Sequence, residues 1–216
     1  MTSSAISWKS GHLVVFPWLI EIILGLRPAS VLDYNGGDGK FLAELRRQFA
    51  GELWHYDPFP ALAAKAKPWE TRMSAFAKMQ TRSKNESIDV VSSIAVWMTL
   101  PSYEACLRYL AEQHRLRCEG RAFIVVTHPC FREESYSSFK TQFNNEDYLQ
   151  NGASFGVEVV DRDKAIQFVD YHWNLSTMLK QSREVGFRML ALAELPDAPG
   201  GNPRGAPWLC FEFDKA

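Results

Sequence analysis

Ser30-Val31-Leu32-Asp33-Tyr34-Asn35-Gly36-Gly37-Asp38-Gly39-Lys40-Phe41 is the stretch on which the reading of this chain turns. An apolar strand runs into a carboxylate, then into a glycine-rich turn, and a helix opens at Asp38-Gly39-Lys40-Phe41-Leu42. Glycine admits positive φ and lets backbone approach a ligand closely. The start of a helix adds unpaired N–H groups and the positive end of its dipole. At the carboxyl edge of a parallel sheet, this combination builds a nucleotide-type cofactor site.

Spacing narrows the choice of cofactor. A dinucleotide fingerprint reads G-x-G-x-x-G, with an acidic residue about 20 positions on. Here the turn reads D-x-N-x-G-x-G, with Asp33 at its head, and Asn35 is among the residues that best tolerate a left-handed backbone. A nicotinamide-dependent oxidoreductase is therefore the disfavoured alternative. A second carboxylate, Asp57, ends the next strand in His55-Tyr56-Asp57-Pro58-Phe59-Pro60. An acid at that place accepts both ribose hydroxyls in other doubly wound folds. The competing reading of Asp57-Pro58 is a helix N-cap, and the two roles are compatible. Phe59 is placed either to pack on an adenine face or to join the core.

Composition excludes several classes. The chain has 216 residues, 46% of them hydrophobic, and a net charge of −1. That supports one domain with a substantial core, and argues against disorder and against a nucleic-acid partner. Cys106, Cys118, Cys130 and Cys210 are scattered without a C-x-x-C, which reads as reduced thiols in a cytoplasmic protein with no zinc site. The apolar run His12 to Leu26 is broken by Pro17 and Glu21 and is short for a membrane span, so it is expected to be a helix packed on the sheet.

Strand and helix signals alternate along the chain, as in an α/β protein with a parallel sheet. Strands are expected at Ala29–Tyr34, Glu52–Tyr56, weakly near Thr71–Ser74, at Ile88–Ser93 and at Arg121–Thr127. Helices are expected near Gly39–Phe49, Ala61–Ala66, Tyr103–Arg117 and Leu175–Val185. Phe187–Leu195 and Trp208–Phe213 read as an antiparallel hairpin at the sheet edge. The segment Pro129–Asp170 has no clear period. Its length and interleaved aromatics (Phe131, Tyr136, Phe139, Phe143, Tyr148, Phe155, Phe168) read as a cap whose rings either wall an apolar pocket or form the cap's own core.

The turn at Asp33–Gly39 resembles the first motif of class I S-adenosylmethionine (SAM) methyltransferases, with Asn35 where a glycine is usual. Val126-Thr127-His128-Pro129-Cys130-Phe131-Arg132, Tyr171-His172-Trp173-Asn174-Leu175-Ser176 and Glu184-Val185-Gly186-Phe187 are similar to a small-molecule methyltransferase subgroup. Trp173 and Val185 depart from its usual Arg and Ala. The resemblance implies a Rossmann-like doubly wound α/β sheet of seven strands with the last antiparallel. It implies a single domain over 1–216, with 130–170 inserted after the fifth strand as a cap or lid. It places SAM on Asp33, Asn35, Gly37, Gly39, Asp57, Pro58 and Phe59, on Ser74 and Ala75 at the adenine side, and on Ser92 and Ser93 at the methionine side. In Ser92-Ser93-Ile94-Ala95 the N/D-P-P-Y/F of DNA and protein amide methyltransferases is missing, which argues against those targets.

Methyl transfer to an OH or NH requires loss of a proton, and His128 and His172 are the candidate acid/base groups. The competing reading of each is a structural hydrogen-bonding group, such as His172 helping to cap the helix that starts near it. The expected activity is transfer of a methyl group to an oxygen or nitrogen of a small-molecule acceptor. The chain is read as cytoplasmic, with no metal, no membrane and no nucleic acid, and is compatible with a homodimer. An inactive methyltransferase-fold binding module is the alternative from another class.

Overall fold

Six strands make up the main sheet of the described residues, which are 10–66, 88–137, 139–161, 164–199 and 205–215 of this computed structural model. The strands are β1 (Ser30–Tyr34), β2 (Glu52–Tyr56), β3 (Ile88–Ile94), β4 (Arg117–Thr127), β8 (Phe187–Leu195) and β9 (Trp208–Lys215). They lie in the order β2-β1-β3-β4-β9-β8. β2, β1, β3 and β4 are parallel, and β9 runs antiparallel to both β4 and β8. The last strand is therefore antiparallel, as expected, and it forms the expected hairpin with β8. The strand expected near Thr71–Ser74, together with Ser74 and Ala75, lies outside the described residues, so six strands rather than seven are described.

Central parallel strands are covered on both faces and so read as continuous apolar runs. β1 shows why: all five of its residues are buried, with Val31 in one core and Leu32 and Tyr34 in the other. One face carries α4 (Tyr103–Leu116) and α5 (Leu175–Glu184), which contribute Tyr109, Leu110 and Met178. Asn174 caps α5, its side chain accepting the Thr177 N–H at 2.9 Å. The other face carries α1 (Phe16–Leu26) and α2 (Lys40–Arg46); a short α3 (Pro60–Ala63) follows β2. α1 follows a π-helical turn at Gly11–Val15 and buries Leu19, Ile20 and Ile23 on one side, so the apolar run packs on the sheet. Among the described residues no helix is long and apolar enough to cross a membrane.

The segment 130–170 is not without period. It contains a second antiparallel sheet of β5 (Phe139–Thr141), β6 (Ser154–Asp161) and β7 (Lys164–Tyr171). Phe155, Val157 and Val159 alternate inward along β6, and Phe139 faces Val159 across the ladder. The period-2 signal is present in the sequence but is interrupted by turn residues, which hid it. Phe139, Phe143, Phe155, Val157 and Val159 join the α1-side core, and Phe139 meets the Trp208 ring at 5.8 Å. Trp208 is paired with Thr127, the last residue of β4. β7 also packs against the 3-10 turn Trp97–Thr99 that follows β3. The small sheet thus sits at the carboxyl end of the main one.

Candidate functional site

The turn after β1 has the backbone that its composition demands. Asn35, Gly37 and Gly39 all have positive φ, at 60°, 58° and 76°. Asn35 does occupy the left-handed region. Within the turn, the Gly36 N–H donates to the Tyr56 carbonyl and the Gly39 N–H to the Gly36 carbonyl, each at 3.0 Å. A side chain at Gly37 would meet nothing within 4 Å. The turn therefore presents bare backbone to open space, which suits a closely approaching ligand.

Asp57 clamps this turn from the end of β2. Its Oδ2 accepts the Gly37 N–H at 2.9 Å and its Oδ1 accepts the Phe59 N–H at 2.8 Å. An ionised carboxylate offers about four lone-pair sites, so two remain for hydroxyls. Phe59 is 65% exposed and is not core. A ring held out beside a carboxylate is an uncommon use of apolar area and offers a flat stacking surface. Pro58 beside it is also exposed.

Asp33 lies beneath the turn rather than on it. It is 2% exposed, and its Oδ1 accepts from the Ser92 hydroxyl at 3.2 Å. Burial raises its carboxyl to about 7, against the pull of the Ser92 hydrogen bond. Gly36 was not singled out by the turn motif, yet a Cβ there would fall 2.4 Å from Asp33 Oδ2 and 2.9 Å from His55 Cδ2. Across β2, β1 and β3 the register sets His55, Asp33 and Ser92 side by side. His55 is buried, and burial lowers its pKa against the pull of the Gly36 and Gly37 backbone.

The hydroxyls of Ser92 and Ser93 are both bonded within the fold. Strand alternation sends neighbouring side chains to opposite faces. The Ser92 hydroxyl goes to Asp33 on one face, and the Ser93 hydroxyl accepts from Tyr109 Oη at 2.7 Å on the other. Both residues are wholly buried. Their hydroxyls are committed within the sheet and do not line an open site.

The two histidines also differ. His128 Nδ1 accepts the Cys130 N–H at 3.1 Å, and Nε2 pairs with Glu194 Oε1 at 2.9 Å. These partners set the tautomer, with the proton on Nε2, and neither nitrogen is free while both bonds stand. His172 pairs through Nε2 with the Tyr148 carbonyl at 2.8 Å, which puts the proton there. Its Nδ1 has no partner, and the ring stacks on Phe143 at 4.4 Å. Burial lowers its pKa to about 4, so it is neutral around pH 7.

Two residues that the motif reading passed over lie beside His172. Arg132 follows β4, is 2% exposed, and stacks over the Phe155 ring at 4.5 Å. Asp170, near the end of β7, is fully buried and is cross-strand partner to Phe155. The available signal was register: Asp170 follows Ile166 and Phe168 at inward positions, where a carboxylate is out of place.

Residues 15–191 match the family model described as a methyltransferase domain. No curated protein sequence matches the chain. Among solved structures it is similar to an S-adenosylmethionine-dependent methyltransferase from Clostridium acetobutylicum (10% identity, 98% of this chain and 93% of that one, TM-score 0.65). It is similar to the CcbJ methyltransferase from Streptomyces caelestis (11% identity, 91% and 94%, TM-score 0.66). A third is the Burkholderia thailandensis 1,6-didemethyltoxoflavin-N1-methyltransferase, solved with 1,6-didemethyltoxoflavin and S-adenosylhomocysteine (18% identity, 94% and 77%, TM-score 0.58). At these identities the structural likeness establishes the fold.

Proposed function

The chain belongs to the methyltransferase domain family, and from that premise we propose that it methylates an oxygen or nitrogen of a small-molecule acceptor. It is a class I SAM-dependent methyltransferase, which speaks against the nicotinamide reading. The observation that carries the cofactor assignment is the turn Asn35–Gly39, with three left-handed residues, open space in front of Gly37, and Asp57 clamping it.

Those residues fit SAM. Asp57 keeps acceptor sites for the ribose hydroxyls, Phe59 offers a face to the adenine, and the bare backbone at Gly37 admits the amino acid part. Asp33 supports the turn from below, with Gly36 packed directly against its carboxyl group. When bound, SAM supplies an electrophilic methyl group on a sulfonium centre. The rest of the chemistry is alignment of the acceptor at near-attack distance in a water-poor site. The small sheet β5–β7 covers the carboxyl end of β4 and supplies the roof of that site.

His172 is the histidine suited to the acceptor. Its N–H is fixed to the Tyr148 carbonyl, so its free Nδ1 lone pair can accept a hydrogen bond from an acceptor OH or NH and orient it. His128 instead ties the end of β4 to β8 through Glu194. The toxoflavin enzyme is a small-molecule example of the fold.

Calorimetry with SAM, S-adenosylhomocysteine and NADH tests the cofactor, and a labelled-methyl screen against a metabolite extract tests the acceptor class. SAM and its product should bind and NADH should not. Label recovered only in protein or nucleic acid would overturn the small-molecule reading.

A further inference from the structure

Five buried polar atoms around His172 lack any partner: Arg132 Nε and Nη2, both carboxylate oxygens of Asp170, and His172 Nδ1. All three residues are at most 2% exposed. Buried polar groups are nearly always paired, and an unpaired buried charge is among the costliest features a fold can carry. Arg132 is held in place by other means. Its Nη1 donates to Thr127 Oγ1 at 3.3 Å, and its plane lies over Phe155. That orientation leaves the Nε–Nη2 edge bare, and this edge matches a carboxylate in bidentate geometry. Asp170 and Arg132 influence each other electrostatically but make no direct ion pair among the described residues.

We propose that Arg132, Asp170 and His172 form the polar subsite for the methyl acceptor, and that the acceptor is a small carboxylic acid with a neighbouring hydroxyl or amino group. The proposal rests on the methyl-transfer reading and adds the acceptor's class. The carboxylate lies along Arg132 Nε–Nη2. The hydroxyl or amine donates to Asp170 or to His172 Nδ1. Asp170 beside the guanidinium makes a dianion such as phosphate a poor fit, while a monoanion is accommodated. Phe143 stacks on His172 and Phe155 lies under Arg132, so the two rings fix the orientation of the polar groups. The place is right for the reaction. Arg132 follows the carboxyl end of β4, and β7, which carries Asp170, packs against the turn after β3. These are the edges from which the glycine turn also projects.

The test uses the full chain, with and without S-adenosylhomocysteine, and three probes: 2-hydroxybenzoate, 2-aminobenzoate and methyl 2-hydroxybenzoate. Binding is followed by equilibrium dialysis. At least one acid should bind, with the ester weaker by about tenfold or more, since the ester cannot engage the guanidinium as an anion. Arg132→Gln should abolish the preference for acid over ester. Because removing one buried charge alone risks unfolding, the double variant Arg132→Met/Asp170→Leu is made as well. Replacing a buried charged pair by apolar residues of similar size is often neutral for stability. It should stay folded, keep its affinity for S-adenosylhomocysteine and lose the acids. The proposal is overturned if acid and ester bind equally, if a folded double variant still binds the acids, or if neither acid binds the wild type at about 10 mM. Failure to bind S-adenosylhomocysteine with acid binding intact would strike the methyl-transfer reading and not this subsite.

Discussion

Asp57 does two jobs with one carboxylate. It holds the Gly37 N–H and the Phe59 N–H, and it keeps lone pairs for a ligand. Asp57→Ala should weaken SAM binding by about tenfold to a hundredfold, since charge-assisted hydrogen bonds contribute roughly 1.5–3 kcal/mol. Calorimetry on a variant with a native circular dichroism spectrum checks this, and an unchanged dissociation constant removes Asp57 from the site. Asp33 is a different case. Burial holds its carboxyl at about 7, raised from 3.8. The native state keeps a proton that the unfolded chain releases over that window. Its contribution to stability is therefore full below about 3.8 and is lost as pH rises towards about 7. Asp33→Asn preserves the shape without the charge. In urea titrations at a series of pH values, the stability difference should move in favour of the variant between pH 3.8 and about 7. A flat difference would mean that Asp33 titrates normally. Neither the burial of Asp33 nor the close approach of Gly36 is legible in the motif, because both depend on a neighbouring strand.

At the level of elements, the small sheet is the unit that sequence reading resolved least. Its sequence suggests a mobile cap because the segment is long, lacks a clear period and interleaves aromatics with polar residues. Its buried face is nonetheless apolar, with Phe139, Phe155, Val157 and Val159 set into the same core as Phe123 and Trp208. Burying each such side chain contributes about 1.5–3 kcal/mol relative to exposure. Lifting the whole sheet as a lid would forfeit several of these at once. Ligand-dependent motion should therefore be confined to the connections at 131–137 and 142–153. Hydrogen exchange should show β6 and β7 amides protected in the free protein, with added S-adenosylhomocysteine slowing only the connections. Fast exchange throughout β6 and β7 that slows on binding would make the whole sheet the lid. By contrast, the main strands are legible to within a few residues, because turn signals bound them on both sides. Glu52–Tyr56 and Phe187–Leu195 are examples.

Across the whole molecule, the two cores lie on opposite faces of one sheet, while the proposed site would draw on β1, β2 and the end of β4 together with β7 of the small sheet. A ligand that bridges these elements binds only the folded chain and must stabilise it by mass action. S-adenosylhomocysteine at a hundredfold its dissociation constant should add about 2.7 kcal/mol. For a chain of this length that corresponds to a rise of roughly 5–10 °C in Tm. Differential scanning calorimetry measures it, and an unshifted Tm at saturation would mean that no such site is assembled.

What the sequence by itself determined is local: the strand–turn–helix at Ser30–Phe41, the left-handed Asn35, the acid at the end of β2, and the alternation that makes the sheet parallel. Each follows from short-range sterics and hydrophobic period, which travel with the chain wherever it folds. Tertiary structure decided the rest. It buried Asp33 under Gly36, turned Ser92 and Ser93 to opposite faces, occupied both nitrogens of His128, and left Nδ1 of His172 bare. It also brought Arg132 and Asp170 to one aromatic ring across 38 residues of chain. Burial and hydrogen-bond partnership are properties of the space around a side chain, and that space is furnished by elements distant in sequence.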